Sequence, residues 1–115
     1  MKTATKPKRR CIHRSNKPDT ASILTVLKVV TGVCQVPGSS LIRKTPGQQA
    51  INHARHLAIH ALYAYVPGIV HEQIGEIFHR HCSGVTKSTE RHAILIASNP
   101  QYRRLEKQIR TLLAP

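Results

Sequence analysis

The sequence predicts an all-α domain of five to six helices behind a basic N-terminal arm. Apolar residues recur at spacings of three and four in several segments, which is typical of helices with one buried face. Pro-Gly and Asn-Pro pairs separate these segments and mark turns. The length of 115 residues fits one domain with a modest core. We therefore expect an arm over residues 1–20 and one domain over residues 21–115.

The charge balance indicates a polyanionic partner. Eighteen Lys and Arg stand against five Asp and Glu, and the formal net charge is +13. An excess of this size favours nucleic acid. No apolar run approaches the roughly 18 residues of a membrane-spanning helix, and no secretory signal follows the basic N-terminus. With one Phe, three Tyr and no Trp, the chain fits duplex binding better than single-strand binding through stacked rings.

The cysteines predict a reduced, cytoplasmic protein, associated with the nucleoid if it binds DNA. Cys11, Cys34 and Cys82 are odd in number and far apart, so they suggest neither a disulfide framework nor a CxxC zinc site.

The first 18 residues contain seven Lys or Arg, no acidic residue and two prolines. This composition predicts a disordered arm. Its basic centre, Lys8, Arg9 and Arg10, could lie along phosphates or in a minor groove. A purely solubilising tail is an equal alternative.

The first part of the domain predicts three helical segments. Asp19 or Thr20 can cap a helix that ends near Gly32. A short helical turn around Leu41 follows. Arg43 and Lys44 then lie in a basic loop before the most regular helix. That helix is predicted over residues 48–65, where the apolar stripe has a period of 3.6.

The second part predicts two short helices with a sharp break, and then a last helix. The helices are expected over about residues 70–78 and 84–97, with Ser83 as the N-cap of the second. Val85, Ser88 or Thr89, His92 and Ile96 should face inward. Pro100 suits the first position of the last helix. A helix, a break and a basic helix are the layout of a helix-turn-helix.

Residues 23 to about 113 resemble the C-terminal DNA-binding domain, domain IV, of the bacterial replication initiator DnaA. The family has an Arg in an alanine-rich helix, an EIG-x-x-F helix and an RDHTTV turn with its helix. Their counterparts here are HARHLAIHAL, EQIGEIFHR and RHCSGV. The interval from Val85 to Pro100, in NPQYR, also matches the family's spacing.

The resemblance implies a Trp-repressor-like helix-turn-helix domain whose second helix reads the major groove and whose basic loop reaches a minor groove. Arg55 matches a phosphate-contacting arginine, and Arg80 matches the Arg of RDHTT. The sequence departs from the family immediately after this arginine, so the target need not be the DnaA box. The implied DNA-binding residues are Arg43, Lys44, Arg55, Arg80, His81, Cys82, Ser83, Gly84, Thr86, Lys87 and Arg91.

The sequence contains no complete catalytic motif. HEQIG at His71 lacks the second His of HExxH, and the chain has no GxxxxGK[ST] nucleotide loop. Cys82 stands beside His81, but neighbours in sequence need not be in hydrogen-bond contact, so a contact or spacer role in the turn is favoured over nucleophilic catalysis. Histidines such as His56, His60 and His79 could bind zinc only if they converged, and contact with phosphate or solvent is the favoured interpretation. We expect neither cofactor nor bound nucleotide.

The expected function is sequence-selective binding of duplex DNA, in replication or transcription control. One alternative is an interaction protein of the replication machinery for which DNA contact is secondary. RNA binding through the arm is a further alternative.

Overall fold

The computed structural model describes residues 20–42 and 48–114, and within these ranges it contains six helices and no strand. This confirms the predicted all-α class and the number of helices. Most of the predicted arm, including Lys8, Arg9 and Arg10, lies outside the described residues, as do Arg43 and Lys44. The helices are α1 (Thr20–Cys34), α2 (Gly38–Leu41), α3 (Gln49–Tyr65), α4 (His71–Phe78), α5 (Cys82–Ser98) and α6 (Pro100–Leu113).

Helix α3 is the central element and packs against each of the other five helices. Its predicted apolar stripe is buried, because Ala54, Leu57, Ala58, Ala61 and Leu62 are almost fully removed from solvent. These residues pack with Val30 of α1, Phe78 of α4, Val85 of α5 and Tyr102 of α6 in one core. Burial of this continuous apolar surface is the main stabilising contribution to such a domain.

The ends of α1 and α6 illustrate two different stop and start signals. Helix α1 continues to Cys34, two residues past the expected stop at Gly32, and the chain then turns at Gln35 with a φ of 58°. The last turn packs Val33 and Cys34 against the core, which outweighs the low helix propensity of glycine. Helix α6 begins at Pro100 as predicted, and the side chain of Asn99 accepts from the amide of Tyr102 at 3.0 Å.

The connection between α4 and α5 is only three residues long and depends on a glycine. His79 has a left-handed φ of 57°, after which the amide of Arg80 donates to the carbonyl of Gly75 at 2.7 Å. A Cβ at position 75 would overlap the carbonyl oxygen of Arg80. Helix α4 therefore packs at Gly75 directly against the backbone of the connection, which leaves no space for a side chain at residue 75.

Helix α5 begins two residues earlier than the sequence indicates. The predicted N-cap was Ser83, but α5 starts at Cys82 and its N-cap is His81, whose Nδ1 accepts from the amide of Ser83 at 3.1 Å. The cause is the tight turn at residues 79 and 80, which reverses the chain before Ser83 is reached.

Within residues 20–42 and 48–114, no helix combines the length and the apolar character needed to cross a bilayer.

Candidate nucleic-acid interface

Helix α5 is fixed to the domain by one apolar and two polar side chains. Val85 is fully buried, and Ser88 and His92 are 6% and 8% exposed, which confirms three of the positions expected to face inward. The Oγ of Ser88 lies 2.6 Å from the Nδ1 of His56 on α3. The Nδ1 of His92 lies 2.6 Å from the hydroxyl of Tyr102 on α6. Because hydrogen bonds are directional, they determine which side of α5 faces outward.

The outward side of α5 carries four of the residues predicted to bind DNA. Ser83, Thr86, Lys87 and Arg91 are exposed. The hydroxyl of Thr86 donates to the carbonyl of Cys82 at 3.2 Å and lies 3.4 Å from the Nδ1 of His71 on α4. The described side chains thus present hydroxyl and cationic groups along one exposed helix.

A cleft of about 700 Å³ lies between α5 and the N-terminal half of α3. Five of the predicted residues line it together, namely Arg55, Arg80, Gly84, Lys87 and Arg91. The α3 side contributes polar residues such as Gln49, Asn52 and His53, and none of the described residues that line the cleft is acidic. The cleft therefore offers hydrogen-bond donors and positive charge from two helices.

Arg55 is bound to the domain rather than exposed for an external ligand. Its side chain is 3% exposed, and its Nε donates to the carbonyl of Leu41 at 2.8 Å. One terminal nitrogen, Nη2, donates to the carbonyl of Ser40 at 2.9 Å, and the other, Nη1, donates to the Oδ1 of Asn52 at 3.1 Å. The guanidinium thus attaches the end of α2 to α3, and the phosphate contact expected of Arg55 stays a prediction.

Arg80 has a different environment from Arg55. Its Nε is buried, and among the described residues it has no hydrogen-bond acceptor. A Cβ at Gly84 would stand 3.6 Å from the Cβ of Arg80, which is ordinary contact. Arg80 therefore brings an unsatisfied charged donor to the wall of the cleft beside the first turn of α5.

The positive charges around the cleft contribute to a low pKa of His56. Burial, together with the smaller effects of the positive charges of His53, Arg91, Arg80 and Arg55, lowers its pKa to about 4. The imidazole is therefore neutral at neutral pH.

Behind the cleft, aromatic and imidazole rings join α3, α5 and α6. The rings of His60 and His92 are stacked, and His53 and His92 each meet Tyr102 edge to face. Burial lowers the pKa of His53 and of His60, although Glu106 partly opposes the shift of His60. Burial and the nearby His60 and His56 lower the pKa of His92 to about 4.

Two cysteines belong to the described residues, and they differ. Cys34 is a free thiol whose pKa burial raises to about 11. Cys82, at the start of α5, is disulfide-bonded. The expectation of a fully reduced chain is therefore wrong for Cys82, because distance along a sequence says nothing about distance between sulfur atoms in the fold.

Within the described part of the chain, no group of three or more His, Cys, Asp or Glu side chains could hold a metal ion. The histidines that line the cleft face arginines, which is unfavourable for a cation.

The sequence did not single out Gln49 or Asn52 as site residues. They belong to the first turn of α3, opposite α5. Polar residues on a helix are usually solvated, so only the tertiary arrangement distinguishes these two. His53 and His56 carried a weak signal, since both lie off the apolar stripe of α3.

No protein family matches this chain, and no characterised protein matches it significantly.

Proposed function

We propose that this protein binds duplex DNA without catalytic activity, and that α4 and α5 act as a helix-turn-helix. The observation that carries the proposal is the outward side of α5, where Lys87 and Arg91 are exposed beside a cleft with no acidic residue among its described lining. The excess of basic over acidic residues in the whole chain supports the same partner.

The short connection between the two helices supports this assignment. In a helix-turn-helix, the first helix crosses the DNA backbone and the start of the second enters the major groove. Here the contact between Gly75 and Arg80 holds α4 against the connection that leads into α5. The exposed side chains of that start, Ser83, Thr86 and Lys87, would reach the bases. Hydroxyl and ammonium groups can recognise base edges there.

The proposal includes the resemblance to domain IV of DnaA and its Trp-repressor-like fold. The EQIGEIF and RH segments that resemble the family correspond to α4 and to its connection with α5. His81 caps α5 and Cys82 is disulfide-bonded. These two positions would therefore read bases differently from the family. The corresponding role is a nucleoid-associated factor in replication or transcription control.

Enrichment of bound duplexes from a random pool tests this function, run near physiological salt so that non-specific attraction does not dominate. We expect an enriched motif, and we expect Lys87→Ala to weaken its preferred duplex by roughly 1–3 kcal/mol while relaxing base preference. Lys107→Ala is the matched control, because Lys107 is exposed on α6 outside the cleft.

Two results would contradict the proposal. One is a pool without an enriched motif, together with equal affinities for the Lys87 and Lys107 variants. The other is capture of replication proteins from nuclease-treated extract by a chain that binds no duplex, which would favour an interaction protein. Equal affinity for structured RNA and duplex DNA would favour RNA binding.

A further inference from the structure

The cleft between α3 and α5 gathers positive charge from both of its sides, in addition to the charge on the exposed side of α5. Arg80, Lys87 and Arg91 reach it from α5 and its preceding turn, and Arg55 lies beneath it. Like charges at close range repel, and the repulsion is stronger where water is partly excluded. His56 lines the same cleft, and after burial and His53 the charges of Arg91, Arg80 and Arg55 each lower its pKa.

The cleft also has a donor without an acceptor. The Nε of Arg80 is buried, and it has no partner among the described residues. A buried donor left in this state is unfavourable, because it has lost its hydrogen bonds to water. Arg55 shows the contrast, because its own guanidinium is satisfied by the carbonyls of Ser40 and Leu41. Arg80 is thus half-buried at the cleft wall, and its Nε has no acceptor among the described residues.

We propose that this cleft binds a phosphodiester group of one DNA strand, between Arg80 and Arg91 on one side and the first turns of α3 on the other. A phosphate accepts charge-assisted hydrogen bonds from several directions, and arginine matches its oxygens in pairs. This inference rests on the proposed function and adds a second DNA contact, since α3 would contact the DNA backbone while α5 reads the major groove.

The α3 wall suits a phosphate better than it suits a protein carboxylate or an apolar ligand. Gln49, Asn52 and His53 line it with amide and imidazole groups, which can donate to phosphate oxygens without adding a net charge when His53 is neutral. Ile59 and Leu95 also line the cleft, and apolar neighbours of this kind exclude water and strengthen an ionic contact.

The test is a double-mutant cycle on the full chain. Affinity for a preferred and an unrelated duplex would be measured by fluorescence anisotropy over a range of salt concentrations, for the wild type and for Arg80→Ala, Arg91→Ala and the double variant. Arg104→Ala on α6 is the matched control, because it removes an exposed arginine outside the cleft. Circular dichroism and thermal unfolding would establish that each variant is folded. If Arg80→Ala does not fold, Arg91→Ala alone tests the cleft.

We expect each single cleft variant to weaken both duplexes about tenfold and to reduce the slope of log K against log salt by about one, as loss of one phosphate contact requires. The double variant should lose less than the product of the two single losses, because both arginines hold the same group. Arg104→Ala should change the slope much less.

The cleft assignment would be overturned if the affinity loss of the double variant equalled the product of the two single losses. It would also be overturned if Arg91→Ala kept the wild-type slope of log K against log salt. Either result would leave duplex binding intact. A wild type that binds no duplex would overturn both proposals. A second experiment titrates the protein with inorganic phosphate and monitors the ring resonances of His56 by NMR. If phosphate shifts them while duplex DNA does not, the cleft takes free phosphate and the assignment to DNA is wrong.

Discussion

The imidazole rings of His60 and His92 are stacked, with 3.9 Å between their centroids and an interplanar angle of 14°. His60 belongs to α3 and His92 to α5, so this pair joins the central helix to the helix that we propose reads DNA. Two neutral rings stack favourably at this distance, whereas two imidazolium ions would repel each other.

Acid should therefore destabilise the fold. The pKa of His92 is about 4 in the folded chain and about 6.5 when unfolded. Between these values the unfolded state binds more protons. The free energy of unfolding should thus be highest above pH 6.5 and fall towards pH 4, by at most about 1.4 kcal/mol per pH unit for each such histidine. Urea unfolding at pH 7.5 and pH 5 measures the difference.

The titratable groups around His60 and His92 support the predicted loss of stability in acid. His56 and His60 disfavour a proton on His92, and Glu106 is the acidic residue that opposes this for His60. His60→Phe keeps a flat ring over His92 and removes one titrating group, so its stability should depend less on pH. Equal stability of the wild type at both pH values would contradict the prediction.

Tyr102→Phe should destabilise the protein. The hydroxyl of Tyr102 lies 2.6 Å from the Nδ1 of His92, and Tyr102 is fully buried. Removing the hydroxyl leaves a polar nitrogen without its partner, at a cost of about 1–3 kcal/mol. Chemical denaturation at neutral pH gives the value. Tyr63→Phe is the control, because Tyr63 is 57% exposed and a surface change of this kind stays within about 0.5 kcal/mol.

Gly75→Ala should disturb the connection between α4 and α5. The added Cβ would overlap the carbonyl oxygen of Arg80, and overpacking against backbone costs roughly 1–3 kcal/mol. Duplex affinity should fall as well, since the start of α5 would shift. Gly32→Ala provides the comparison, because a Cβ there meets no atom within 4 Å. Gly32 lies in the last turn of α1, so this change should stabilise by at most about 0.5–1 kcal/mol, the value for the middle of a helix. Similar melting temperatures for the two variants would be inconsistent with this account.

Arg55→Lys should lower stability by roughly 2–3 kcal/mol, because an ammonium cannot reproduce the forked donation to the carbonyls of Leu41 and Ser40. Thermal unfolding at neutral pH measures the loss. Arg91→Lys, at an exposed position, should leave the melting temperature nearly unchanged. If Arg55→Lys weakened duplex binding without loss of stability, Arg55 would be a DNA contact as the family resemblance implies.

Much of the fold could be predicted because local and tertiary preferences agree along most of the chain. The stripe of α3, the inward Val85 and His92, and Pro100 at the start of α6 all follow from periodicity and capping. The prediction failed at Gly32 and Ser83, whose local preferences were overridden by core packing beside Cys34 and by the turn at His79.

The candidate site was predictable only in part. Lys87 and Arg91 follow from their place on a helix, but nothing local distinguishes Arg55, which is buried, from an exposed arginine. The α3 wall of the cleft likewise depends on how two helices pack. Gln49 and Asn52 gain meaning only once α5 lies opposite them.

The polar inner side of α5 also limits how this protein can change. Purely apolar contacts tolerate small rotations of a helix about its axis, but the partners of Ser88 and His92 lie in fixed directions on two different helices. One residue of slippage would turn α5 by about 100° and break both bonds at once. New binding preferences should therefore arise by replacing outward side chains such as Lys87, while the angular setting of α5 stays constant.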